Sequence, residues 1–389
     1  MKTIVINASV LLSDLTGIGF YTLTLIQTLE KHFKYRHDVE LKLVVNGILY
    51  DSLSALGILQ NPSHLNPHAK SPSKWLKYAR YVLTPPLYSY LKYKYIFPYL
   101  EKRKYQHLPL FDLYIEPNFI AMPIQAKKIL GCIHDLPPCD KKGWMLSEDD
   151  ERYWNLYILP KMRHYDESIC FCQVVKKDIL KTFGWLESKV HVIYHGLREY
   201  LDTHMESLPS DFPQDFILVV GAKARRRNVH RLIEAFKLLP TPMQKRYKIV
   251  LTGAHNNLTP KEQKAYEESF IINLHYVSDA MLKALYAHAK LLWWGSLAEG
   301  FGLPMLEAMQ AGCVILASDV SCMPEILGDV GVYCNPYNTQ DIAQALKQAL
   351  SDESLRQICI TRGFQRIKSF NFEASMQEHI KVVEQMLRS

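Results

Sequence analysis

LAEGFGLPMLEAMQAGCVILAS, residues 297–318, is the stretch from which the fold of this chain can be read. Glu299 and Glu307 bracket a Gly-Phe-Gly-Leu-Pro run that reads as a loop turning into a helix. Pro304 suits the first helical turn, where its missing N–H costs nothing. The unpaired backbone N–H groups of that turn, with the helix dipole behind them, make an anion site. Gly300 and Gly302 let the backbone approach a ligand with no Cβ in the way. Glu307 falls about one turn into the helix, and Glu299 sits before it. The arrangement suits a ligand with phosphate in its middle and hydroxyl-rich ends, as in a nucleotide sugar.

Around this stretch the second half of the chain alternates strands and helices. DFILVVGA (215–222), YKIVLTGA (247–254), a short run near Leu274, KLLWWGS (290–296), CVILAS (313–318) and GVYCNP (331–336) read as strands. NVHRLIEAFKLL (228–239), a segment from about residue 260, MLKALYAHA (281–289) and DIAQALKQAL (341–350) read as helices, with SCMPEI (321–326) as a turn. This alternation implies a parallel sheet covered by helices on both faces. A last amphipathic helix is expected over about residues 372–387. Arg225, Arg226 and Arg227 follow the first of these strands directly. Three adjacent cations at a strand end, ahead of a helix start, suit a diphosphate better than a solvated turn.

The first half repeats the rhythm. A strand over residues 3–11 leads to TGIGFYT (16–22) and an apolar helix through Leu23, Ile26 and Leu29. Gly17 and Gly19 form a Gly-x-Gly turn that either cradles a phosphate or makes a tight turn needing positive φ. It is not a full dinucleotide fingerprint, because the position of the third glycine is Thr22. Further strands are expected at 41–46, in FDLYIEP (111–117) and at 129–133. His134 and Asp135 follow the last of these, at the carboxyl edge of the sheet where α/β ligands bind. His134 there reads as a base, a sugar ligand or a core residue, and Asp135 as a turn cap or a chemical group. A helix over 151–164, the strand–helix unit ESICFCQVVKKDILKTFG (167–184) and the strand KVHVIYHGL (189–197) complete this half. The polar, proline-containing segment 198–214 is the expected linker.

Residues 70–107 break the pattern. Nine Lys or Arg, ten aromatics and one acid, Glu101, fall in this segment. Trp75, Lys92, Lys94, Arg103 and Lys104 stand out as cations and rings that suit an anionic membrane surface or a lipid-linked acceptor. The alternative is a helical insertion whose rings pack inward and whose lysines are solvated. No RNA-binding signature accompanies the basic residues, so nucleic acid is not expected as a partner.

The chain has 389 residues, 48% of them hydrophobic and 22% charged, with a net charge of +7. That length suggests two domains rather than one core. The eight cysteines include no C-x-x-C pair, and several sit inside apolar runs. Buried free thiols in a reducing cytosol are expected over disulfides or zinc. The N-terminus lacks a clean apolar region with a small-residue cleavage site, and no apolar run reaches the length of a membrane span. A cytoplasmic protein with peripheral contact to the inner face of a membrane is expected. There is no internal repeat of solenoid period.

Transfer of a sugar from a nucleotide diphosphate builds positive charge on the ring and negative charge on the leaving phosphate. Cations and oriented N–H groups at the diphosphate stabilise that separation. A paired-carboxylate glycosidase has no need for the glycine loop, the helix start or the arginines. No Asp-x-Asp turn is present, so neither a metal nor any other cofactor is expected.

Residues 277–336 strongly resemble glycosyltransferase family 4, the retaining enzymes of the GT-B fold, with Glu299 and Glu307 matching the two glutamates of that family. TGIGFYT, IHDLPP, VIYHG and VVGAKARRRNVHRLIEAF resemble its glycine loop, His-Asp strand end, interdomain strand and first C-domain strand. The segment from about residue 47 to 109 is not covered. The resemblance implies an α/β architecture of two Rossmann-like, doubly wound domains facing across a cleft. Residues 1–200 would bind the acceptor, residues 201–371 the nucleotide sugar, and the helix in 372–389 would return to the first domain. Glu299 would hold hydroxyls of the donor sugar, and His134 would contact that sugar. Backbone N–H groups of Gly300, Phe301, Gly302 and Leu303 would meet sugar and phosphate, and Glu307 the ribose. Arg226 and Arg227 would hold the diphosphate, and Gly17 and Gly19 would approach it from the other domain.

Two departures stand out. The family usually has Arg-Lys where this chain has Arg226-Arg227, and a guanidinium is not interchangeable with an ammonium. Serines that the family often carries are replaced in CFCQVVKKDI. The resemblance is similar to mannosyltransferases using GDP-mannose, with UDP-sugars as the alternative donor and a glycan, lipid-linked, as acceptor in polysaccharide or lipopolysaccharide synthesis. A sugar-nucleotide epimerase and a non-catalytic nucleotide-sugar-binding partner are the competing readings.

Overall fold

The strand β1 (Lys2–Asn7) lies at the centre of the first sheet because its middle residues, Ile4, Val5 and Ile6, are fully buried on both faces. In the computed structural model, which describes residues 1–12, 17–57, 84–118, 120–136, 148–197, 204–253, 264 and 266–389, β1 pairs in parallel with β2 (Val39–Val45) and β4 (Phe111–Glu116). β3 (Ile48–Tyr50), β5 (Ala126–Ile133), β6 (Glu167–Cys170) and β7 (Val190–Val192) complete the order β3-β2-β1-β4-β5-β6-β7. Only β3 is antiparallel. Asn46 and Gly47, with φ of 54° and 84°, form the two-residue turn that folds it back on β2. The sequence reading placed no strand there, although Asn-Gly between apolar runs signals such a hairpin. It also carried the first strand to residue 11, whereas the chain turns into a 3-10 helix at Ser9–Leu12.

The second sheet holds β8 (Phe216–Val219), β9 (Lys248–Leu251), β10 (Ile271–Asn273), β11 (Leu291–Trp294), β12 (Ile315–Ser318) and β13 (Val332–Cys334). All pair in parallel, in the order β10-β9-β8-β11-β12-β13. Residues 321–326, read as a turn, instead start the short helix Met323–Leu327. The helix Glu353–Arg366, which the sequence reading omitted, begins where Asp352 accepts a hydrogen bond from the Leu355 amide at 2.9 Å. Its periodicity is blurred by exposed Ile358 and Phe364.

The chain passes between the sheets twice, and the two crossings touch. The Leu197 amide donates to the Phe370 carbonyl at 2.9 Å, and Gly196 lies against the backbone of Phe372 with no room for a side chain. From there the C-terminal helix Phe372–Arg388 packs on the first helix, Gly17–Phe33, burying Met376, Ile380, Val383 and Met386. Glu384 pairs with His32 and Arg36, each at 2.9 Å, and Lys128 donates to the Met386 carbonyl at 3.2 Å. One apolar cluster runs from Ile6 through Phe171 to Phe301 and Met386, so the two sheets share a core.

In the basic-aromatic segment, Trp75 and the rest of residues 70–83 lie outside the described residues, as do Thr16, most of the helix expected from residue 260 and part of the linker. The remainder is helical: Pro85–Leu91, a π-helical turn at Lys92–Ile96, then Phe97–Tyr105. Tyr93 is buried and donates to Asp149 Oδ2 at 3.0 Å, and Phe97 meets Tyr157 edge-on at 5.5 Å. Leu87, Tyr95, Tyr99 and Leu100 are exposed. Lys104, which is exposed, donates to Asn46 Oδ1 at 2.6 Å, at the β2–β3 turn. Among the described residues no helix is long and apolar enough to cross a membrane.

Candidate functional site

Each sheet has one place where the strand order reverses: between β1 and β4 in the first, between β8 and β11 in the second. Ligands of open α/β sheets bind outside the carboxyl ends of strands at such points. Beyond β11 the chain runs through Gly295 and Ser296 to Glu299, and hydroxyls hold this loop. Ser318 donates to the Ser296 carbonyl at 2.6 Å, and Ser321 accepts from the Glu299 amide at 3.1 Å while donating to its carbonyl at 3.0 Å. Gly302, at φ 90°, then caps the helix Leu303–Gln310, a conformation that a residue with a Cβ rarely adopts. Pro304 lies in the first turn of that helix.

The arginines reach the same loop from β8. Arg225–Arg227 form a 3-10 turn, and Asn228 follows at φ 61° with no exposed surface. Its side-chain amide donates to the carbonyls of Gly295 and Pro336 at 3.3 and 2.8 Å, tying the turn to two neighbouring loops. The Leu297 amide donates to the Arg226 carbonyl at 2.8 Å. Arg227 forms an ion pair with buried Glu299, and Arg226 Nε stands 3.4 Å from the same carboxylate oxygen. Arg227 also donates to Ser296 Oγ at 3.1 Å and lies over the Trp294 ring, 3.7 Å from its centroid. Burial and the neighbouring Arg226 push Arg227 well below the usual arginine range. Tyr286, Cys322 and Asp135 pull it the other way, and the Glu299 carboxylate is its ion-pair partner.

The first domain supplies His134 at the end of β5. Its Nε2 stands 2.8 Å from the Pro117 carbonyl, which only accepts, so Nε2 carries the proton and Nδ1 keeps the lone pair. The ring stacks on Phe171 at 4.7 Å and meets Tyr21 edge-on at 5.0 Å. Burial holds its pKa down at about 4, so the imidazole is neutral near pH 7 and suits hydrogen bonding rather than proton delivery. Burial raises Asp135, while the charges of Arg226 and Arg227 pull it the other way. Gly300 abuts this strand end: a Cβ there would strike the His134 carbonyl and come within 3.0 Å of Asp135 Cβ.

The structure therefore brings Glu299, Arg226, Arg227, Gly300 and His134 together across the cleft, with Phe301, Gly302 and Leu303 beside them. His195, on the interdomain crossing, stacks on Phe171 at 3.9 Å and meets Phe301 edge-on at 5.0 Å. Glu307 stands in the second turn of its helix, buried, accepting from the Tyr286 hydroxyl at 2.8 Å. Gly17 and Gly19 require a correction. Both belong to the first helix rather than to a turn before it, and neither has positive φ. A Cβ on Gly17 would come 4.0 Å from Leu303 Cδ1, so the two helix starts meet there. Lys92, Lys94, Arg103 and Lys104 belong to the helical insertion, not to this cluster.

Sequence reasoning passed over several residues of the site. Ser296, Ser318 and Ser321 carried only the general turn signal of serine. Glu325 was passed over as well. Its carboxylate accepts from the amides of Gln173 and Val174 at 2.7 and 3.2 Å and from Tyr194 at 2.8 Å. A second-domain acid thus caps the first-domain helix Gln173–Phe183.

Residues 202–366 match the family model of glycosyl transferases group 1. The second domain is a group 1 glycosyl transferase domain. The chain is 35% identical over 164 residues to O-antigen chain mannosyltransferase B of Escherichia coli, covering 41% of this chain and 43% of that protein. It is 30% identical over 248 residues to the serotype-specific mannosyltransferase WbdA of Escherichia coli, covering 60% of this chain and 30% of WbdA. The matches thus span between about a third and a half of these relatives. Among solved structures, WaaG, a glycosyltransferase involved in lipopolysaccharide biosynthesis, superposes with a TM-score of 0.62 at 14% identity, over 98% of this chain and 99% of WaaG. Sucrose-phosphate synthase from Thermosynechococcus elongatus gives a TM-score of 0.65 at 16% identity over 100% of both chains. The group 1 domain and its partner form the GT-B fold.

Proposed function

We propose that the protein is a retaining, metal-independent hexosyltransferase that moves a sugar, mannose favoured, from a nucleotide-diphosphate donor to a glycan acceptor. The observation that carries this reading is the convergence of Arg226 and Arg227 on Glu299 beside the start of the helix Leu303–Gln310. Two guanidinium groups and a helix N-terminus suit a diphosphate without a divalent cation. When the diphosphate takes the arginines, Glu299 is released to accept from sugar hydroxyls, and Glu307 accepts from the ribose. His134 Nδ1 accepts from a further sugar hydroxyl. The bond from C1 to the phosphate oxygen breaks, and the acceptor oxygen bonds to C1 on the same face. The acceptor proton passes to the leaving phosphate, so no side chain acts as base. The arginines and helix dipole stabilise the charge on that phosphate.

The O-antigen mannosyltransferase relatives support mannose as the sugar and a surface polysaccharide or lipopolysaccharide as the product, with GDP-mannose as favoured donor. A lipid-linked acceptor at the inner face of a membrane fits the exposed Leu87, Tyr95, Tyr99 and Leu100 with Lys94 and Arg103 among them. Incubation with GDP-mannose, UDP-glucose and UDP-N-acetylglucosamine, with and without lipid-linked glycans, tests the proposal. Acceptor-dependent release of GDP is the expected result. Release from a UDP-sugar instead moves the donor, an isomerised sugar without acceptor indicates an epimerase, and binding without turnover indicates a binding partner.

A further inference from the structure

The tandem Trp293-Trp294 at the end of β11 grips Arg227 from two directions. Successive side chains of a strand point to opposite faces. Trp293 uses its indole N–H to donate to the Arg227 backbone carbonyl at 2.9 Å. Trp294, fully buried and paired in register with Ala317, lays its ring face under the Arg227 guanidinium at 3.7 Å. Ser296 Oγ and Glu299 hold the edge of the same guanidinium. One face and one edge fixed together set the plane of the group, not merely its position.

Two buried donors at this contact have no hydrogen-bond acceptor among the described residues: Arg227 Nε and Trp294 Nε1. The indole nitrogen borders the ligand-approach loop, since a Cβ on Gly302 would come within 3.0 Å of it. Buried donors left unpaired are costly, and an anionic oxygen relieves that cost. A guanidinium held in a fixed plane presents its donors as a fork to two phosphate oxygens, whereas an ammonium is a point charge with no plane to set.

We propose that Trp294 is a positioning residue for recognition of the nucleoside diphosphate, acting by fixing the plane of Arg227 and flanking the Gly302 loop. This rests on the donor reading given above. Calorimetric titration of the full chain with GDP and UDP, across Trp294→Met, Trp294→Phe, Arg227→Lys and the Trp294→Met/Arg227→Lys pair, tests it. Loss of the ring face in Trp294→Met should weaken binding of the preferred diphosphate about tenfold or more, while Trp294→Phe, which keeps a ring face and loses the indole N–H, should weaken it less. Arg227→Lys should cost a similar factor in the wild-type background and little more beside Trp294→Met.

Unchanged affinity in a folded Trp294→Met protein, or strictly additive losses in the pair, overturns the positioning role while leaving the donor reading intact. A wild-type protein that binds neither GDP nor UDP overturns the donor reading and this inference together. If Trp294→Met does not fold, the Trp294 indole N–H resonance of the wild type, assigned by its disappearance in Trp294→Phe, carries the test. It should shift on saturation with the preferred diphosphate, and an unmoved resonance overturns the proposal.

Discussion

Gly300 of the second domain rests against the carbonyl oxygen of His134 in the first, so closely that any side chain at Gly300 would overlap it. The contact unites the donor loop with the strand end across the cleft. Gly300→Ala should therefore hold the two strand ends apart while leaving the second domain intact. Misplacing reacting groups by about 1 Å can cost about 100-fold in rate, so kcat should fall by roughly that factor. Affinity for the free nucleoside diphosphate, which the proposed reading assigns to the second domain, should change far less. Comparing steady-state rates with diphosphate binding in the same variant checks both halves of the prediction.

Glu299 pairs with the arginines, and in the proposed reading it also serves the sugar. Glu299→Gln leaves Arg227 buried without its counter-charge, an arrangement that typically costs about 3–5 kcal/mol when one partner of a buried pair is removed. A clear drop in melting temperature is expected. A diphosphate that no longer competes with the carboxylate should bind at least as tightly as in the wild type and restore part of that stability. Transfer should fall about 10- to 100-fold in kcat/KM, the scale of a lost charged hydrogen bond to substrate. Weaker diphosphate binding in this variant would show that the pair supports the arginines rather than competing for them.

The contrast between Gly302 and Gly17 shows what the sequence made legible. Gly302 stands before a proline and between two acids, and few backbone conformations other than a helix start accommodate that run. Gly17 stands in a Gly-x-Gly that reads as a phosphate cradle or a tight turn, whereas the chain is already helical there. Arg226 and Arg227 were readable because they follow a buried strand at a sheet edge. Trp294 was readable only as a core strand residue, since burial does not reveal which side chain lies on the ring. The helix Met323–Leu327 is too short to show periodicity, so Glu325 was missed as the cap of a helix some 150 residues earlier in the chain. Contacts between sheets so distant in sequence leave no local pattern.

Stability should fall toward both acid and alkali for separate reasons. Burial lowers His134 and His379 to about 4. Between their unfolded value near 6.5 and that figure the unfolded chain binds more protons, so stability is lost as pH falls through this window, by at most ~3 kcal/mol for each histidine. Glu116 behaves oppositely. It is buried among Asn7, Tyr114 and the Asn118 amide, with Lys161 nearby, and its pKa is raised to about 8. The folded state keeps that proton, so the stability it confers is present below about pH 4.5 and is lost as pH rises through 8. Urea midpoints measured from pH 4 to pH 9 should decline on both sides. His379→Phe should flatten the acid limb and Glu116→Gln the alkaline one.

Leu87, Tyr95, Tyr99 and Leu100 expose apolar surface on one run of helix, while Tyr93 and Tyr105 of the same run are buried. The exposed rings and Leu side chains suit the boundary of a bilayer, and the cations around them suit anionic headgroups. Not every cation should matter equally. Lys104 is tied to Asn46, and Lys92 reaches back over the Tyr93 and Phe97 rings, at 4.6 and 5.0 Å. Lys94 and Arg103 are exposed beside the exposed rings, Lys94 donating to the Tyr90 hydroxyl at 2.6 Å and Arg103 lying over Tyr99. Each cation near an anionic surface contributes about 1 kcal/mol, so Lys94→Gln with Arg103→Gln should weaken binding to phosphatidylserine vesicles roughly 30-fold. The loss should shrink as salt is raised, because the interaction is screened. Tyr95→Ser with Tyr99→Ser should weaken binding at all salt concentrations. Sedimentation with vesicles of graded anionic content measures both, and binding that neither pair of substitutions alters would remove this helix from membrane contact.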